Sequence, residues 1–173
     1  MGWWRKETQN PSRDQPESGG GLKLQLPRQR RGAAIVAPLT MQRISNRLSK
    51  QNIQHLTDAD GALLALWERH AVLFTLEGPE GEILVIRARA HATVPVEWSE
   101  RSYAAVNEWN HARRFMKAYV GDVTDRGGLP FYAEMQFPLL AGVHDELVDE
   151  LLDCAMAVSA TYVDWLHDEA GVL

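Results

Sequence analysis

Apolar and polar residues alternate along several short segments of the chain. Between Phe131 and Phe137, apolar residues occupy one side of an extended segment, and Tyr132, Glu134 and Gln136 occupy the other. A period of two residues is typical of a strand that buries one face. Five segments are predicted to be strands: 62–69, 72–77, 83–91, 116–123 and 129–137. Residues 55–60 are predicted to be a short polar strand or a loop.

Three further segments show helical periodicity. The first follows Thr40, a suitable N-cap, and places Met41, Ile44 and Leu48 on one stripe. Pro95 opens the second, which runs to about Asn110, and the third spans residues 143–169. The order of elements is therefore αβββαββα. Because the connections between strands are short, we expect an α+β fold with an antiparallel sheet and one face covered by helices.

The third helix carries two apolar stripes, and one sheet face can cover only one of them. We expect the first stripe to face the core and the second to be covered by another helix or another chain. This predicts a homodimer through the C-terminal helix, with coverage by the domain's own first helix as the alternative. The core stripe is Leu147, Leu151, Cys154, Val158, Tyr162 and Trp165; the second is Val148, Leu152, Met156 and Val163; an acidic stripe is Glu146, Glu150, Asp153 and Asp164.

The core of the domain should combine residues from the sheet and from two helices. The predicted buried residues are Phe74, Ile86, Val106, Trp109, Phe131, Met135, Leu151 and Val158. A chain of 173 residues is long enough for one such core.

Charge divides the chain into two parts. Residues 1–32 contain seven Lys/Arg and three Asp/Glu, whereas residues 33–173 contain eleven Lys/Arg and twenty Asp/Glu. The first part is rich in polar residues, Pro and Gly, so we interpret 1–32 as a disordered basic leader and 33–173 as the folded domain. An acidic domain argues against nucleic acid as a partner. No segment is long and apolar enough to predict a membrane span, and no secretory signal is visible, so we expect a cytoplasmic protein.

Motifs for catalysis or cofactor binding are not found in the sequence. It has no HExxH, CxxC or EF-hand spacing and no glycine-rich phosphate loop. His144 and His167 each begin a His-Asp-Glu triplet, but one helix separates them by about 35 Å, which is too far to share a metal. Cys154 is interpreted as a small core residue rather than a nucleophile. We therefore expect no enzyme activity, no cofactor and no metal.

One segment is unusual and carries a family resemblance. Val106-Asn107-Glu108-Trp109-Asn110 is followed by Lys117-Ala118-Tyr119. Together with the order of elements, these residues resemble the YbjN family of bacterial proteins, which are described in general terms as sensory-transduction regulators. Weaker matches are Pro38-Leu39-Thr40 with Arg43-Ile44, Asp60-Gly61 before the strand ending in Trp67, Glu134, and Ala141-Gly142-Val143. The resemblance covers about residues 37–168 and implies the fold of the type III secretion chaperones, with no established catalytic residue.

Two functions from different classes follow. The first is a non-catalytic regulatory or chaperone-like module that recognises a protein segment, because the related chaperones bind extended segments. The second is a small-ligand sensor or an enzyme with a polar site near Asn107, Asn110 and Lys117. An alternative for the two asparagines is structural, in which they join the helix end to the next strand. The candidate binding residues are Trp67, Asn107, Trp109, Asn110, Arg113, Arg114 and Lys117.

Overall fold

The structure is a computed structural model that describes residues 35–173. The predicted leader at residues 1–32 lies outside the described residues. Three α-helices, six strands and one short 3-10 helix, η1, are found in the described part. In chain order they are α1 Met41–Lys50, β1 His55–Thr57, β2 Leu63–Leu66, β3 His70–Glu77, β4 Ile83–Pro95, η1 Val96–Trp98, α2 Ser99–Ala112, β5 Lys117–Val120, β6 Gly128–Pro138 and α3 Asp145–Asp168.

All six strands belong to one antiparallel sheet with the order β1-β2-β3-β4-β6-β5. The first four strands form a meander, and α2 then carries the chain past the position of β6 to the β5 edge. The predicted α+β class and antiparallel sheet are confirmed. The region 55–60, predicted as a strand or a loop, contributes the short strand β1, so four strands rather than three precede α2.

The helices lie on one face of the sheet. α3 packs against β3, β4 and β6, and α1 packs against α3. α2 also packs against α3: the Trp109 ring contacts Tyr162 and Trp165, with ring centroids 4.9 and 5.6 Å apart. Within residues 35–173 no helix covers the opposite face of the sheet. This uncovered face therefore presents alternate side chains of β4, β5 and β6 to solvent.

The start of α1 is joined to the start of α3 by backbone and ionic contacts. Thr40 caps α1 by accepting a hydrogen bond from the backbone of Arg43, as predicted. The Arg43 guanidinium donates to the carbonyl of Val143 at 2.9 Å and pairs with Asp145 at 2.8 Å. Arg47 pairs with Asp149 one turn further along both helices. These contacts hold α1 along one flank of α3.

The assignment of the two apolar stripes of α3 was wrong for most of their residues, although Tyr162 and Trp165 of the first stripe are buried as predicted. Val148, Leu152 and Val163, placed on the second stripe, are at most 1% exposed and pack in the domain's own core. Leu147 is 38% exposed, and the side chains of Leu151, Cys154 and Val158 are only half-buried. The predicted burial of Leu151 and Val158 is therefore also wrong. Periodicity reveals that two stripes exist, but the angle at which the helix lies on the sheet decides which one is covered.

The other predicted core residues occupy the interior. Phe74, Ile86 and Phe131 are fully buried, and Trp109 is 1% exposed. Val106 and Met135 are also buried. The alternation in β3, β4 and β6 thus identified the covered face of each strand correctly.

Candidate functional site

The two asparagines of the segment Asn107-Glu108-Trp109-Asn110 have different surroundings, although they lie one turn apart on α2. The Asn110 side chain donates to the carbonyl of Ala118 at 2.9 Å and accepts from the backbone N–H of Ala118 at 2.8 Å. Asn107 is exposed, and none of the side-chain hydrogen bonds found in residues 35–173 includes it. The structural interpretation therefore holds for Asn110, which joins α2 to β5. This contact uses one N–H and the carbonyl oxygen of the Asn110 side chain.

The two tryptophans among the candidate binding residues lie in separate places. Trp109 is buried, and its indole N–H donates to the carbonyl of Met116 at 3.2 Å. Trp67 follows β2, three strands away from β6 in the sheet order, and its ring stacks on His70 at 5.1 Å. A single groove with both tryptophans and both asparagines is therefore not formed. Trp109 is a core residue that also fixes the backbone entering β5.

The basic residues after α2 surround the start of β5. The Arg113 guanidinium lies 5.4 Å from the centre of the Trp109 ring. Arg113, Arg114 and Lys117 are exposed, and none of the salt bridges in the described residues includes them. Within residues 35–173, none of the three forms a salt bridge with an acidic residue of α3. These three positive charges remain at the surface of a predominantly acidic domain.

Next to this cluster lies a groove of about 520 Å³, which we call the β5 groove. Its apolar part comes from the residues before β5 and from the end of β6. Phe115 is 59% exposed there, so a large aromatic side chain is in contact with solvent. The lining residues are Arg114, Phe115, Met116, Lys117, Tyr119, Glu134, Met135, Gln136 and Phe137. Sequence reasoning identified Arg114 and Lys117 but missed the apolar residues.

Backbone conformation at Met116 contributes to the shape of the groove. Met116 has φ of +54°, which is uncommon for a residue other than glycine. Its side chain is buried, and its carbonyl accepts the Trp109 hydrogen bond. The chain therefore turns sharply between Phe115, which is exposed, and Lys117, which begins β5. No sequence signal marks this turn, because methionine has no preference for positive φ.

On the uncovered face beside the groove, side chains on neighbouring strands lie opposite each other and interact. Glu134 lies opposite Arg87 on β4 and opposite Lys117 on β5. Arg87 donates to the Glu134 carboxylate at 2.5 Å, Gln136 donates to it at 2.6 Å, and Tyr119 donates at 3.4 Å. Burial alone would raise the pKa of Glu134, but the hydrogen bonds from Gln136 and Arg87 and the charge of Arg87 hold it below its ordinary value. Glu134 is therefore an acceptor fixed in place by its neighbours.

The next row of side chains on this face is aromatic. Tyr132 lies opposite Arg89 on β4 and opposite Tyr119 on β5. The Tyr119 and Tyr132 rings stack with centroids 5.3 Å apart. Burial raises the pKa of Tyr119 above its ordinary value, so its hydroxyl remains protonated and can donate to Glu134. The face therefore combines a charged row with an aromatic row.

Groups suited to metal binding are not assembled in the described residues. No cluster of three or more His, Cys, Asp or Glu side chains that could hold an ion occurs in residues 35–173. Cys154 of α3 is a free cysteine and is half-buried. In the same part of the chain, no helix is both long and apolar enough to cross a membrane.

The protein is therefore an α+β domain in which three helices cover one face of an antiparallel sheet and leave the other face exposed. A family model described as "Putative bacterial sensory transduction regulator" matches residues 40–168, and the chain belongs to this family, YbjN. A similar solved structure is titled "Crystal structure of YbjN, a putative transcription regulator from E. coli". It has a TM-score of 0.64 and 12% identity over 77% of this chain and 96% of that chain, so the likeness concerns the fold. No curated protein sequence matches the chain significantly.

Proposed function

We propose that this protein is a non-catalytic regulatory module that recognises an acidic protein segment at the β5 groove. The observation that carries the proposal is the exposed apolar lining of the groove beside unpaired cations. Phe115, Met135 and Phe137 supply apolar surface to a volume of about 520 Å³. A cleft of this size accommodates one or two side chains of a bound segment. Family membership supports a regulatory role.

Charge supports an acidic rather than a basic segment. The domain from residue 33 onward contains nine more Asp/Glu than Lys/Arg, that is, twenty less eleven. Arg114 and Lys117 in the groove lining reverse this sign locally, and Glu134 there is already paired with Arg87. Carboxylates of a partner would meet uncompensated positive charge at the rim. Such complementarity increases the association rate and disfavours basic partners.

Recognition through side chains is favoured over extension of the sheet. β5 is an edge strand, and edge strands can pair with an added strand. Asn110, however, already bonds to both backbone groups of Ala118 in the middle of β5. The edge is therefore blocked at its centre. We infer that a partner inserts apolar side chains into the groove and places acidic residues against its basic rim.

The alternative of a small-ligand site near Asn107, Asn110 and Lys117 has weaker support. The Asn110 amide has both of its hydrogen-bonding atoms occupied by Ala118. Trp109, the candidate binding residue next to Asn110 in the sequence, is buried. Only the second N–H and the second oxygen lone pair of Asn110 are left for a ligand at this position.

Affinity capture from native lysate with matched variants tests the proposal. The full chain is compared with Phe115→Asp and with the double variant R114E/K117E. Leu140→Asp and Lys50→Glu are the controls, because Leu140 is 68% exposed away from the groove and Lys50 is an exposed cation of α1. We expect mass spectrometry to identify proteins retained by wild type and both controls and lost from both groove variants.

Two outcomes contradict the proposal. If the same proteins are retained by wild type, by Phe115→Asp and by R114E/K117E, recognition does not use the β5 groove. If wild type retains a small molecule and no protein, the ligand-sensor alternative is favoured instead.

A further inference from the structure

The uncovered face of the sheet carries an arginine without an acidic partner. Arg87 on β4 lies opposite Glu134 and forms a salt bridge with it. Arg89, two residues further along the same strand, lies opposite Tyr132, and its guanidinium carbon is 5.9 Å from the centre of that ring. None of the salt bridges in residues 35–173 includes Arg89. Within the part of the chain that the structure describes, Arg89 therefore forms no ion pair with a carboxylate.

A second arginine lines a cleft together with Arg89, next to an irregularity in the sheet. The pairing of β4 with β6 shifts register between Arg89 and Thr93. Bulges of this kind redirect side chains and interrupt a regular ladder. Beside the shift lies a cleft of about 300 Å³, which we call the bulge cleft, and the turn between β5 and β6 contributes Arg126 to it. Arg126 also has no salt bridge in the described residues.

The turn that carries Arg126 is held in one conformation. The Thr124 hydroxyl donates to the carbonyl of Gly128 at 3.0 Å and accepts from its backbone N–H at 3.1 Å. Gly127 has φ of +78°, a conformation that favours glycine. The Thr93 side chain packs so closely on Gly128 that a Cβ at that position would overlap it. The cleft is thus bounded by a fixed turn, which reduces the entropic cost of binding.

The groups around the cleft favour an oxyanion. Its lining contains two arginines and one carboxylate, Asp125, which gives a formal charge of +1 with His91 neutral. The His91 ring is anchored, since its Nε2–H donates to the carbonyl of Trp67 at 2.9 Å. Guanidinium groups present paired N–H donors that match the oxygens of a phosphoryl group. Thr93 also lines this cleft.

We propose that the bulge cleft binds a phosphoryl group through Arg89 and Arg126. This site is distinct from the β5 groove, and none of its lining residues is shared with that groove. It does not depend on recognition of a protein segment. A free phosphate compound and a phosphorylated serine side chain carry the same chemistry, and the experiment distinguishes these two sources.

NMR titration of the ¹⁵N-labelled full chain tests the site. The probes are inorganic phosphate, the peptide acetyl-Gly-Ala-phosphoserine-Ala-Gly-amide, and the same peptide without phosphate, all at constant ionic strength. We expect saturable shifts of the backbone signals at 89–93 and 124–128 with the two phosphorylated probes. Arg89→Gln and Arg126→Gln should each weaken binding about tenfold or more, since each removes a charge-assisted contact.

Arg69→Gln is the control, because Arg69 is a surface arginine that pairs with Asp164 and lies outside the cleft. It should bind the phosphorylated probes as wild type does. Tighter binding of the phosphopeptide than of inorganic phosphate would assign the site to a phosphorylated protein, and equal binding would assign it to a free phosphate compound. The proposal is overturned if no saturable shift occurs, or if both cleft variants bind as tightly as wild type. Arg126 lies in an exposed turn, so Arg126→Gln should fold. This variant therefore still tests the proposal if Arg89→Gln fails to fold.

Discussion

Asn110 pairs with Ala118 much as a residue on a neighbouring strand would. Its side-chain carbonyl accepts from the Ala118 N–H, and its side-chain amide donates to the Ala118 carbonyl. An edge strand normally leaves such backbone groups to solvent or to another chain. Here Ala118 as a whole residue is 5% exposed, and a side chain of the helix that precedes the strand satisfies both backbone groups. Asn110 thereby fixes the position of β5 and limits what can add to this edge.

Replacing Asn110 should destabilise the protein, and replacing Asn107 should not. Asn110→Ala leaves a buried N–H and a buried carbonyl without partners, which costs about 1–3 kcal/mol. Asn107→Ala removes an exposed side chain of the same type one turn earlier, and we expect a change within about 0.5 kcal/mol. Urea unfolding followed by circular dichroism measures both. Equal stability of the two variants would contradict the structural role of Asn110.

Two adjacent leucines of α3 should differ in their effect on stability. Leu152 is fully buried, so Leu152→Ala should lower the free energy of unfolding by about 2–5 kcal/mol. Leu151 is half-buried, and Leu151→Ala should cost less than about 2 kcal/mol, because part of its surface is already exposed. The comparison uses chemical denaturation of the two variants under identical conditions. A larger loss for Leu151→Ala would mean that α3 is rotated about its axis.

Glu134 should make part of the stability depend on pH. Its pKa is lower in the folded protein than the ordinary value of 4.5, so its carboxylate stabilises the fold at pH values above about 4.5. This contribution is lost as the pH falls through the folded-state pKa. Glu134→Gln should therefore be less stable than wild type near neutral pH, and the difference should shrink below about pH 4.5.

Urea midpoints between pH 3 and 7 measure this dependence. Glu68→Gln is the control, because Glu68 is exposed and forms no salt bridge among the described residues. A difference between wild type and Glu134→Gln that stays constant across the range would show that the carboxylate charge has no part in it.

A homodimer through the C-terminal helix remains our prediction, but with different contact residues. Val148 and Leu152 are occupied in the core, so the apolar surface that α3 offers to a second copy lies at Leu147, with Leu151, Cys154 and Val158 beside it. We expect light scattering to show a wild-type dimer and a Leu147→Glu monomer, because the variant would bury an unpaired charge at the interface.

The thermal melt of Leu147→Glu should show that its domain is folded. Leu140→Glu is the control, since Leu140 is 68% exposed in the loop before α3. A wild type that is strictly monomeric at high concentration would disprove the dimer.

The sheet was more predictable from sequence than the groove. Alternation at Phe131–Phe137 identifies the covered face of β6 because a strand has only two faces. A helix has more possible orientations, and α3 has two apolar stripes, so its sequence could not show which of Leu151 and Leu152 is buried. The role of Asn110 was among the alternatives considered, because asparagine suits contacts with loose backbone groups. Phe115 and Phe137 were missed because they are 22 residues apart in sequence and meet only when β5 pairs with β6.

The ion pairs between α1 and α3 have a consequence for synthesis on the ribosome. Arg43 and Asp145 are 102 residues apart in sequence. At a synthesis rate of about 5–20 residues per second, the first helix emerges about 5–20 seconds before its partner does. During that interval the buried side of α1, formed by Ile44 and Leu48, has no native surface to cover it. The nascent chain therefore exposes this apolar stripe until α3 has been synthesised, and during that interval chaperones that hold unfolded chains have access to it.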